Sequence, residues 1–110
     1  MPTDALTALA DPTRRRVFEL IAERPSSVGQ LADLLPVSRP AVSQHLKVLR
    51  IAGLAREERM GTRHVFSVDP SGIEQLRAYF DSFWQRSLRA YKTALEQSSS
   101  SRAPNDKEAS

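Results

Sequence analysis

The clearest hydrophobic pattern in the chain lies between Ser38 and Gly53, SRPAVSQHLKVLRIAG. At about 100° per residue, Val42, Leu46 and Leu49 fall together on one side of a helix. Pro40, Gln44 and Lys47 fall on the opposite side, with Ala41 and Ser43 on the flanks. The spacing predicts a helix with an aliphatic buried face. Its open face is small, polar and cationic.

The flanking patterns place this helix in a larger array. Asp4 to Ala10 has a short helical pattern, and Asp11-Pro12 marks a fresh start, with Asp as N-cap and Pro at the first helical position. Val17, Leu20 and Ile21 form the next apolar stripe, with Phe18 beside it, and Pro25 ends it. Ser27 and Gln30 stand in capping-box spacing before Val28, Leu31, Leu34 and Leu35. Pro36 stops that helix, Ser38 caps the next, and Gly53 closes it. Two helices, Ser27–Leu35 and Ser38–Ala52, are thus joined by a very short turn, which is helix-turn-helix organisation. Leu54–Met60 and Arg63–Val68 read as strands joined by Gly61-Thr62, a two-residue turn with Gly first. Asp69-Pro70 opens a last helix to about Gln97, roughly 40 Å long. Its stripe is Ile73, Leu76, Phe80, Phe83, Ser87, Tyr91 and Leu95, with Trp84 and Leu88 alongside. The expected fold is mainly α with a small β-hairpin: a winged helix-turn-helix, dimerised through its terminal helices. Residues 1–97 form the domain, and the polar run 98–110 is expected to be a disordered tail.

Composition narrows the chemistry. With 110 residues, 40% of them hydrophobic, the chain suits one small domain. No apolar run is long enough to span a bilayer and no leader pattern is evident, so a cytoplasmic protein without a membrane partner is expected. The absence of cysteine excludes disulfides and thiolate metal sites, and His45 and His64 alone make no metal cluster. The net charge is +3. Arg39, Lys47, Arg50, Arg56, Arg59 and Arg63 crowd one segment against Glu57 and Glu58, and Arg14-Arg15-Arg16 lies upstream. Arginine's planar fork suits phosphate. The carboxylates come with no nucleophile–base pair and no Gly-rich phosphate loop, which argues against an enzyme.

Residues 11–70 resemble the ArsR/SmtB family of bacterial winged-helix repressors. The segments that carry the resemblance are DPTRRRVFELI, QLADLLPVSRPAVSQHLKVLRIAGL and the wing MGTRHVFSVDP. The resemblance implies a homodimer that represses transcription, with the first and last helices at the interface and two recognition helices in successive major grooves of an inverted repeat. Metal sensors of the family often carry a Cys-x-Cys pair, but the matching positions here fall near Ser27 and Gly29. A second family site uses histidines on the final helix, and no histidine follows His64. The resemblance is therefore to a branch without these metal sites. No cofactor is implied, and the effector is open.

Each candidate residue then has an expected role. Gln44 suits an adenine edge, while Ser43, Ala41 and Pro40 lie close to the bases. Ser38 caps its helix and can reach phosphate. Arg39 and Lys47 should meet phosphate, or for Arg39 a guanine. His45, on the border of the buried face, either packs or touches the backbone. Arg59 and Arg63 could carry the hairpin into a minor groove. His64 shares a strand face with Phe66 and Val68, so packing is expected there. Of Arg14, Arg15 and Arg16, one is expected to be structural and another to clamp phosphate. Leu6, Leu9, Ile73, Leu76, Phe80, Phe83, Trp84, Ser87 and Tyr91 are the dimerisation set; the aromatic part of the stripe could alternatively line an effector pocket. Two other functions remain: a sensor with an unfamiliar small-molecule or metal site, and a protein-interaction module that does not read double-stranded DNA.

Overall fold

A computed structural model describes the backbone of residues 2–109 and the side-chain environments of residues 4–99. The elements are α1 (Pro2–Ala10), α2 (Pro12–Glu23), α3 (Val28–Leu34), α4 (Arg39–Ile51), β1 (Ala55–Met60), β2 (Arg63–Val68) and α5 (Pro70–Ala109). The helix boundaries sit where side chains satisfy the backbone groups a helix end leaves open. Asp11 accepts from the Arg14 N–H at 2.9 Å. Ser27 and Gln30 form the reciprocal capping box, at 3.2 and 2.9 Å. The Ser38 hydroxyl accepts from the Ala41 N–H at 3.3 Å. At the far end of α4, Gly53 takes φ +80°. Its N–H donates to the Arg50 carbonyl at 3.0 Å, and the Leu54 N–H donates to Leu49 at 2.9 Å. Those two bonds are a Schellman stop, which needs the left-handed backbone that glycine adopts without a Cβ penalty.

Residues 1–77 and 78–110 are two compact units. The first holds the core. Val17, Ile21, Leu31, Val42, Leu46, Leu49 and Leu54 are fully buried and come from α2, α3, α4 and the residue before the hairpin. Ala5 and Ala8 of α1 and Leu76 of α5 close the same cluster, with Leu6, Leu9 and Ile73 packed on it. β1 and β2 pair antiparallel from Ala55↔Val68 to Met60↔Arg63. Gly61 has φ +66° and Thr62 does not share the positive sign, which fits the turn that takes glycine first.

Two features around the hairpin differ from the expectation. Ser26 forms an isolated bridge to Phe66, exchanging both backbone bonds at 3.0 and 2.8 Å. A one-residue strand has no periodicity, so the sequence could not signal it. In β2, the consecutive residues Val65, Phe66 and Ser67 are all buried while His64 is exposed. Neighbouring strand residues point to opposite faces, so both faces are covered there, and the covering stops before His64. His64 therefore does not pack with Phe66; it stands on the protruding part of the hairpin.

In the second unit the side chains of α5 are almost entirely exposed. Trp84 and Tyr91 are each 63% exposed, and Phe80, Phe83, Leu88 and Leu95 are close to half exposed. Tyr79 stacks on Phe83 with ring centroids 6.4 Å apart. The helix also runs past Gln97 to Ala109. No glycine or proline stands between Gln97 and Pro104, and helical hydrogen bonds require no apolar residue. The side chains of residues 100–110, most of the expected tail, lie outside the described residues. Among the described residues, no helix is long and apolar enough to cross a membrane.

Candidate nucleic-acid interface

α4 presents the face the pattern predicted. Val42, Leu46 and Leu49 anchor it in the core, while Arg39, Pro40, Ser43, Gln44 and Lys47 are exposed and Ala41 is half-buried. Pro40 stands in the first turn, where its missing N–H breaks no helical bond. The exposed half of α4 is thus a rigid row of small and polar groups, held from behind by three aliphatic side chains. It carries no acidic residue between Ser38 and Gly53, which suits a polyanion.

Arg39 lies against α3: a Cβ added at Gly29 would stand 3.2 Å from its guanidinium nitrogen. A cleft of about 570 Å³ opens here between α3, α4 and the hairpin, lined by Ser27, Gly29, Arg39, Ser43, Arg63 and His64, with Glu57 and Phe66 at its wall. The helix's phosphate candidate and one wing arginine therefore face the same space. Arg59 lies next to His64, its guanidinium 3.2 Å from the ring Nε2. The opposite ring nitrogen of His64 is 2.9 Å from Glu57. Glu57 also pairs with Arg50 of α4 at 3.5 Å. Glu57 was not among the residues the sequence singled out. Its parity with Arg59 and the facing His64 was the available signal.

The other candidates divide. His45 is half-buried and its Nδ1 is enclosed without a hydrogen-bond partner among the described residues. The Asp11 carboxyl is held below its ordinary value chiefly by the Arg14 backbone N–H, with a smaller contribution from His45. Arg14 donates to the Ala8 carbonyl at 3.2 Å and Arg15 to the Leu9 carbonyl at 3.0 Å. Two of the three arginines therefore close the end of α1, where one was expected to be structural. Arg16 pairs with Glu19 at 3.4 Å, one turn apart on the exposed face of α2. Of the dimerisation set, Leu76 is buried and Leu6, Leu9 and Ile73 are half-buried against the chain's own core. Phe80, Phe83, Trp84, Ser87 and Tyr91 are exposed. Among the described residues, no group of three or more His, Asp or Glu side chains is placed to hold a metal ion.

Comparison with known proteins agrees with this geometry. A helix-turn-helix domain model matches residues 9–58. The HTH-type transcriptional regulator Rv2034 of Mycobacterium tuberculosis is 50% identical over 95 residues, 86% of this chain and 89% of that protein. The chain belongs to the ArsR/SmtB family. An ArsR-like transcriptional regulator from Rhodococcus sp. RHA1 superposes with a TM-score of 0.69 at 26% identity, over 84% of this chain and 90% of the other. The homodimeric winged helix-turn-helix DNA-binding domain of Mb0332 from Mycobacterium bovis shares the fold, with a TM-score of 0.61 at 23% identity over 76% of this chain and 77% of that one. As an ArsR/SmtB protein, the chain is a transcriptional regulator with a helix-turn-helix DNA-binding domain, and not an enzyme. α3 and α4 are its helix-turn-helix, and β1–β2 is its wing.

Proposed function

We propose that this chain is a homodimeric repressor that binds an inverted-repeat operator and blocks transcription there, without the metal sites known in its family. The observation that carries this is α4. A helix whose buried side is locked by Val42, Leu46 and Leu49 offers Ser43, Gln44 and Lys47 to a groove without acidic interference. Gln44 reads a base edge, because its amide can donate to and accept from adenine at once. Ser38, Arg39 and Lys47 hold the phosphates, and the Arg59–Arg63 wing adds a second contact beside the cleft.

The exposed aromatic row of α5 supports the dimer. A run of large apolar side chains left in water is unfavourable at about 25 cal/mol per Å² of apolar surface, and a second copy is the partner that symmetry supplies. The Mycobacterium bovis domain with this fold is itself homodimeric. Two recognition helices then sit about 34–36 Å apart, one turn of B-DNA, or at a multiple of it.

The test is selection of bound duplexes from a randomised pool, followed by footprinting and sedimentation of the complex. The expected result is a palindromic consensus bound by two protomers, with affinity falling steeply as salt rises. A pool that shows no consensus, or a monomer on a single half-site, would overturn the proposal.

A further inference from the structure

The wing and the recognition helix are joined by a chain of four side chains. Arg50, in the last turn of α4, pairs with Glu57 of β1 at 3.5 Å. Glu57 uses its other carboxylate oxygen on His64 Nδ1 at 2.9 Å. His64 Nε2 faces the Arg59 guanidinium at 3.2 Å. Donor and acceptor rules fix the proton. A guanidinium only donates, so His64 Nε2 must be the acceptor; a carboxylate only accepts, so Nδ1 must carry the hydrogen. The chain is therefore complete only with neutral His64 in its Nδ1–H form. Glu57 selects that form by accepting the Nδ1 hydrogen, and so turns a lone pair toward Arg59.

From this we infer that Glu57 and His64 are positioning residues for Arg59. They hold its guanidinium in one place at the end of the wing and tie that place to α4. The inference rests on the DNA-binding function proposed above. A long arginine in free solution has much rotamer entropy to lose on binding. Arg59 loses part of it before DNA arrives, and the contact with His64 occupies one of its five N–H donors, leaving the rest for phosphate. The anchoring also explains an acidic residue at a polyanion-binding face. Taken alone, Glu57 would repel DNA; within the chain it fixes two arginines and a histidine. The other charged groups facing this cleft are Arg39 and Arg63, both cations, so no second carboxylate lining the cleft competes with Glu57 for His64.

A double-mutant cycle tests this, with a labelled duplex selected by the protein from a randomised pool as probe and the full chain as protein. Arg59→Ala should weaken binding about fivefold in the wild-type background and less than about twofold in Glu57→Ala and in His64→Asn, because coupled neighbours are non-additive. Asn keeps a donor near the Nδ1 position and places no acceptor at Nε2. His64→Gln reaches farther, restores an acceptor for Arg59, and should recover most of the wild-type response. A general loss of wing structure would not distinguish Asn from Gln, and melting curves of each variant check the fold. Equal effects of Arg59→Ala in all four backgrounds would overturn the inference. So would tighter binding by Glu57→Ala with the Arg59 response intact, since Glu57 would then act only as a repulsive charge. A wild-type chain that selects no duplex would instead overturn the proposed function.

Discussion

Gly72 stands in the first turn of α5 with its Cα against the end of α4. A Cβ built there would lie 1.8 Å from the Gly53 carbonyl oxygen, 2.7 Å from its carbon and 3.2 Å from Leu54 Cα, all backbone atoms. No side chain can rotate to relieve such a contact. To restore an ordinary separation of 3.4 Å, α5 must retreat by the difference, 1.6 Å. That retreat would stretch the bond from the Asp69 N–H to the Leu54 carbonyl, now 2.9 Å, beyond hydrogen-bond range. It would also lift Ile73 and Leu76 from the core. The lost bond is worth about 1 kcal/mol and the forced repacking about 1–3 kcal/mol. The entropy gained by replacing glycine returns about 0.5–1 kcal/mol. Gly72→Ala should therefore destabilise the domain by about 2 kcal/mol, opposite in sign to what helix propensity alone gives. Urea denaturation followed by far-UV circular dichroism, at one protein concentration because any self-association shifts apparent stability, reads this directly. A variant as stable as wild type, or more stable, would refute the close packing of α5 on the Schellman turn.

Leu46→Ala should cost about 2–5 kcal/mol in the same assay, because a fully buried aliphatic side chain leaves a cavity behind α4. In binding assays, Gln44→Ala should relax preference at one base position by about 1–3 kcal/mol, while Lys47→Ala should weaken all sequences alike and reduce the salt slope by about one. Trp84→Glu leaves the described core untouched and should weaken dimerisation by about 2 kcal/mol or more by analytical ultracentrifugation; unchanged association would remove Trp84 from the interface. The Asp11 and Asp69 carboxyls are held below the ordinary value of 3.8, Asp11 chiefly by the Arg14 backbone N–H and Asp69 chiefly by the Ser71 hydroxyl. A depressed carboxyl stabilises the fold above its unfolded pKa, and that contribution is lost as pH falls through the folded value. The melting temperature should fall below about pH 4, and Asp11→Asn should make that fall shallower; an unchanged slope would deny the cap its role.

The chain's local chemistry determined much of this protein. Caps at Asp11, Ser27 and Ser38, the glycine stop at Gly53 and the glycine-first turn at Gly61 all act within a few residues, so each boundary was legible from its own neighbourhood. The two faces of α4 were legible for the same reason, since helical periodicity converts spacing directly into direction. What depended on distant contacts was not. The Ser26–Phe66 bridge joins residues forty apart in number, and no periodicity reports it. Alternation put His64 inward with Phe66, but alternation gives only the face, and the end of the covering core decides whether that face is buried. The charges of Arg14 and Arg15 were legible, but only the fold placed the carbonyls that close α1 beside them. Leu76 and Phe80 share one helical stripe, yet the first is buried by its own chain and the second is left exposed. Sequence spacing tells which residues point the same way; only tertiary structure decides what, if anything, they meet there.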